Sequence, residues 1–94
     1  MLKRIIDTNG FNAVVKGRHG YVLYNKNDIY FGKSVEKYGE FSELEVELFG
    51  RICREGDFVI DVGANIGTHT MAMADLVGTS GRVYAFEPQR IVFQ

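Results

Sequence analysis

The hydrophobic positions of this chain fall into two regimes. Between residues 12 and 33 they come in short runs, NAVVK, YVLYN and IYFGK, separated by GRHG and KND. Val14, Val15, Tyr21, Leu23, Ile29 and Phe31 supply the β-branched and aromatic content that strands favour. The pattern predicts an antiparallel three-strand meander. Gly17 and Gly20 flank its first turn, and Asn25, Asn27 and Asp28 make its second. SVEKYGEF reads as a polar connection. Leu44, Leu48, Phe49, Ile52 and Cys53 then recur at helical spacing, which predicts a helix over 43–54 packed on the sheet that follows. Ser42 and Glu45 have capping-box spacing, in which each side chain satisfies a backbone N–H at the helix start. Gly56 is a stop signal.

From residue 58 the pattern changes. FVIDV is a near-continuous apolar run, as expected of a parallel strand covered on both faces. GANIG follows as a turn. Thr68 to Val77 reads as a helix with Met71, Ala72, Ala74, Leu76 and Val77 as packing residues, GTSG as a breaker, and RVYAF as a second strand ending at Glu87-Pro88. Strand, helix and strand with a short return make one βαβ unit. The expected class is α/β, with a β-meander and connector over 1–40 and a second region with this βαβ unit over 41–94.

Composition narrows the function. A chain of 94 residues is at most one small domain, and 46% hydrophobic with 24% charged residues is globular composition. The net charge of −1, without a dense Lys/Arg run, argues against nucleic acid and anionic membrane as partners. The single cysteine, Cys53, excludes an internal disulfide and continues the helical apolar stripe, so it reads as a core residue. MLKRIIDTNG lacks the apolar segment of a signal peptide, and no run approaches the roughly 20 apolar residues that cross a bilayer. A soluble, cytoplasmic protein is expected. Two distant histidines and one cysteine support no metal site, and His19, in a hairpin turn, is expected to be exposed.

The chemistry gathers at the βαβ turn. Gly63 permits a sharp backbone turn, Gly67 permits close approach of helix and strand, and Asn65 tolerates left-handed angles or caps the next helix. Glu87 lies 24 residues after Gly63, at the end of the second strand. There a carboxylate accepts from both hydroxyls of an adenosine ribose, unless it is simply solvated. A 2′-phosphorylated ribose would place like charge beside Glu87. NAD and S-adenosylmethionine share that adenosine. The dinucleotide GxGxxG frame fails because Asn65 stands at its second glycine, and no Lys or Arg lies between Phe58 and Gly81. The spacing present is DxGxxxG, beginning at Asp61. A cofactor with a sulfonium and an ammonium suits this acidic strand end, where Asp61 accepts from the ammonium directly or through water. The other reading of Asp61 is a buried hydrogen-bonded or helix-capping residue.

YGEFSELEVELF (38–49), EGDFVIDVGANIGTHT (55–70) and GRVYAFEPQRIVFQ (81–94) resemble the FkbM-type S-adenosylmethionine-dependent methyltransferases. The likeness runs over about residues 28–94, in order. It implies a class I (Rossmann-like) methyltransferase fold and methylation of oxygen on sugars, glycans or natural products. It implies that Asp61, Gly63, Ala64, Asn65 and Gly67 form the methionine-side loop and that Glu87 takes the ribose. Tyr38, Gly39 and Glu40 would lie against the cofactor pocket; otherwise they are a core aromatic, a turn and a solvated residue. His69, in the first helical turn, either reaches toward the cofactor or caps locally at the surface. A full domain of this kind has five to seven strands, so the chain is expected to be a truncated N-terminal part. No catalytic base can be assigned, the acceptor would be a small molecule or glycan, and the chain alone is expected to be inactive. An unpaired apolar edge at 83–86 would favour self-association. The alternatives are a non-catalytic interaction module and an NAD-binding fragment.

Overall fold

A computed structural model of the chain describes residues 4–7, 10–90 and 92–93. In order these form β1 (Arg4–Asp7), β2 (Asn12–Lys16), β3 (Tyr21–Asn25), α1 (Phe31–Tyr38), α2 (Glu43–Ile52), β4 (Phe58–Val62), α3 (Thr68–Val77) and β5 (Arg82–Phe86). The described residues thus make a small α/β structure: an antiparallel sheet in the order β1-β2-β3, a parallel pair β4-β5, and three helices.

The meander exists, but its third strand comes before the other two. Arg4–Asp7 pairs antiparallel with β2, with a register irregularity between Arg4 and Ile6. The predicted strand at 29–33 instead enters α1, and the predicted connection SVEKYGEF begins inside that helix. Asp28 causes the change. Its Oδ1 accepts from the Tyr30 and Phe31 N–H groups at 2.9 and 3.0 Å, which turns the chain into the helix. The buried face of α1 is Gly32, Val35 and Glu36, so the helical period is not written in hydrophobic letters. Glu36 is only 4% exposed, and the Tyr24 hydroxyl donates to its Oε2 at 2.6 Å. Ala13, Val15, Val22, Tyr24 and Val35 form the closed core here, with Ile66 and Met71 packed against it from the second half of the chain.

Helix α2 forms without the capping box. Ser42 has left-handed backbone angles (φ 53°, ψ 51°), and its side chain makes no cap hydrogen bond. An N-cap hydroxyl reaches the helix amides from an extended backbone, a geometry that these angles do not provide. Glu43 and Glu45 turn instead to His19 and His69. The apolar stripe also divides differently from expectation. Val46 is buried and Phe49 and Cys53 half-buried, whereas Leu44, Leu48 and Ile52 are exposed. The helix packs mainly on α3 rather than on a sheet.

β4 and β5 run parallel and in register from Phe58↔Arg82 to Val62↔Phe86. Helix α3 covers one face, burying Ala72, Met73 and Val77, while the expected packing residue Ala74 is exposed. On the other face Phe58, Ile60, Val62, Tyr84 and Phe86 are all more than half exposed. FVIDV is therefore covered on one face, not on both, among the described residues. None of their helices is long and apolar enough to cross a membrane.

Candidate functional site

The parallel register brings the carboxyl ends of β4 and β5 side by side, so the GANIG loop meets Glu87 across the top of the pair. Gly63 (φ 79°), Asn65 (φ 55°) and Gly67 (φ 90°) all adopt left-handed backbone, which carries the chain from β4 into α3 within five residues. A Cβ added at Gly63 or Gly67 would meet nothing within 4 Å. Gly67 is thus required by its backbone angle and not, as expected, by close approach of helix and strand. Open space lies over both glycines.

Every amide of the loop donates within the protein. Gly63 and Ala64 N–H both reach the Phe86 carbonyl, at 2.8 and 3.0 Å, and Gly67 N–H reaches the Ala64 carbonyl at 2.9 Å. Asn65 N–H donates to Glu87 Oε1 at 2.9 Å, and Ile66 N–H to Asn65 Oδ1 at 2.8 Å. Glu87 accepts a second backbone donor, Gln89 N–H, on Oε2 at 2.9 Å. Its carboxylate has roughly four acceptor sites, so two remain for other donors. Below the loop, Thr70 Oγ1 donates to Asp61 Oδ2 at 2.6 Å. Asp61 is half-buried, and this bond ties the end of β4 to the first turn of α3.

Around this loop lies a cleft of about 290 Å³. Ala64, Asn65, Gly67, Thr70 and Glu87 line it on the polar side, and Tyr21, Leu23, Ile66, Ala85, Val92 and Phe93 supply apolar surface. Among the described residues no lysine or arginine lines it. A second hollow of about 470 Å³ shares Ala85, Glu87 and Phe93 with the cleft and extends over Phe86 and Pro88. Glu87 stands where the two meet. The cleft by itself is at the small end of ligand sites, which run roughly from 300 to 1,000 Å³.

The structure brings together only part of the expected set. Ala64, Asn65, Gly67 and Glu87 line the cleft, with Gly63 at the turn and Asp61 beneath it. Tyr38 does not: it is 61% exposed at the end of α1, with Lys37 Nζ 5.1 Å from its ring centre. Gly39 and Glu40 anchor the β2–β3 hairpin instead. The Gly39 carbonyl accepts from Arg18 N–H at 2.8 Å, and Glu40 pairs with the Arg18 guanidinium. His69 faces α2, edge-on to Phe49 with ring centres 5.4 Å apart and 3.6 Å from Glu45 Oε2. His19 is not the exposed turn residue expected. Its side chain is 21% exposed, and its Nε2 lies 3.1 and 3.2 Å from the two oxygens of Glu43.

Thr70, Tyr21, Leu23 and Phe93 are lining residues beyond the expected set. Thr70 had a signal, a hydroxyl one turn past Gly67 in a helix that starts beside a strand-end carboxylate. Tyr21 and Leu23 are outward positions of a half-buried strand, and alternation alone does not say what an outward side chain meets. Among the described residues no group of three or more His, Cys, Asp or Glu side chains is placed to hold a metal ion. No protein-family model matches the sequence, and no curated protein matches it.

Proposed function

We propose that this chain carries the cofactor-binding start of an S-adenosylmethionine-dependent methyltransferase of the FkbM type, with a class I, Rossmann-like arrangement. The reaction would be O-methylation of a sugar or natural-product hydroxyl. One observation supports this reading above the others: all five loop amides, 63–67, are already donated to protein acceptors. A turn that cradles a diphosphate presents free N–H groups to it. Here the Asn65 amide points to the Glu87 carboxylate, and no Lys or Arg among the described residues lines the cleft. A dianionic linker at this turn would therefore meet the Glu87 carboxylate with no loop amide left to offset it, only the first amides of α3. A cofactor bearing a sulfonium and an ammonium meets the opposite.

The residues fit such a group in a defined way. Glu87 retains acceptor capacity for ribose hydroxyls, and the open space over Gly63 and Gly67 admits an amino-acid chain. The first amides of α3, which have no partner within a helix, would meet its carboxylate. When bound, the cofactor supplies an electrophilic methyl group. The chain's own part would be to orient it and to hold the ribose. Calorimetric titration of the protein with S-adenosylhomocysteine and with NADH tests the reading. Binding of the former and not the latter is expected, and weakening by Glu87→Ala. Preferential binding of NADH overturns it.

A second reading has its own support. The exposed apolar face of β4 and β5 suits a non-catalytic interaction module that associates through this surface. Sedimentation over a concentration series separates the two: a defined dimer without nucleoside binding favours the module.

A further inference from the structure

The hairpin turn between β2 and β3 is held far more firmly than a surface turn requires. Arg18 is bonded to Gly39 through its backbone and to Glu40 through its side chain. Gly17 sits so close to the same segment that an added Cβ would lie 2.7 Å from the Gly39 oxygen. His19 contacts Glu43 on α2 through Nε2, and its Nδ1 lies 3.7 Å from Asp75 Oδ2 on α3. The turn is thus fixed against the α1–α2 connection, α2 and α3 at once. Strand β3 leaves this turn directly and forms an edge of its sheet. Its Val22 and Tyr24 are buried in the core, while the alternate positions Tyr21 and Leu23 line the cleft beside the glycine loop.

Tyr21 is 65% exposed and Leu23 38%. Two sizeable apolar side chains are therefore held at a defined place, next to an open space, on a strand positioned by helix-bound anchors. We propose that Tyr21 and Leu23 are ligand-binding residues, the apolar second wall of the cleft, covering the nonpolar surface of the molecule whose polar groups meet Glu87 and the start of α3. This rests on the cofactor reading above. Binding would bury surface that both side chains now expose, which favours the complex without any new polar contact. It also gives the segment Gly39–Glu40 a role at one remove: it sets the position of the wall and does not touch the ligand.

The test is a titration of the uniformly ¹⁵N-labelled chain with S-adenosylhomocysteine, following amide shifts. Saturable shifts at both 63–67 and 21–23 are expected. The double variant Tyr21→Ala/Leu23→Ala is expected to bind about tenfold more weakly, and Tyr21→Phe about as well as the parent. Shifts confined to 63–67, or parent-like affinity in the double variant, overturn the wall. Silence at 63–67 overturns the cofactor reading and the wall with it. Should the double variant not fold, the shift map of the parent protein decides alone.

Discussion

The two sheets cover their apolar side chains to different degrees. In the meander, alternation is obeyed: Ala13, Val15 and Tyr24 reach 0% exposure, and their neighbours face outward. In β4 and β5 both faces are apolar, yet only the face under α3 is covered, and Val62 on the other is 80% exposed. A strand that is apolar on both faces is written for two covering layers, and the described residues provide one. Stability is therefore concentrated in the meander, while the parallel pair contributes geometry: two strand ends held level for the loop and Glu87.

Substitutions sharpen this contrast. Tyr24→Ala opens the closed core and leaves Glu36 without the phenol, and about 3–5 kcal/mol of stability should be lost in denaturant unfolding. Tyr24→Phe keeps the ring and removes only the donor to a carboxylate that is 4% exposed; a loss of about 1–3 kcal/mol is expected. A loss near zero for either would show that the meander core is not the stable half. At the loop, Asn65→Ala places a residue less tolerant of φ 55° at this turn and should cost about 1 kcal/mol, whereas Asn65→Gly should be nearly neutral. Equal costs would mean that the Asn65 side chain, through its bond to Ile66 N–H, matters more than the backbone angle. On the uncovered face, Phe58→Ser with Tyr84→Ser should change unfolding free energy by no more than about 0.5 kcal/mol and lower any self-association seen in sedimentation. A loss above about 2 kcal/mol would show that this face is packed in solution.

Much of the fold was legible from local pattern. NAVVK, YVLYN, FVIDV and RVYAF form strands over those residues, and the helix read over Thr68 to Val77 has those bounds. Each combines an apolar run or alternation of the right length with turn residues beside it. The failures share a cause as well. α1 buries Gly32 and Glu36 beside Val35, so its helical face carries one hydrophobic letter, and IYFGK looks like a strand. Ser42 and Glu45 had the right spacing for a capping box, but contacts with His19 and His69 claimed the acidic side chains. Leu44, Leu48 and Ile52 follow a helical period that no described element covers.

The site divides in the same way. The glycine turn, the left-handed Asn65 and the strand-end Glu87 follow from residue type and spacing, because backbone angles and strand ends are local properties. That Glu87 holds the Asn65 amide, that Gly39 and Glu40 grip a hairpin instead of lining the cleft, and that Tyr21 and Leu23 line it were decided by the tertiary structure. Those facts depend on which surfaces meet between segments more than twenty residues apart, and a one-dimensional pattern records what each segment has to bury, not which partner covers it.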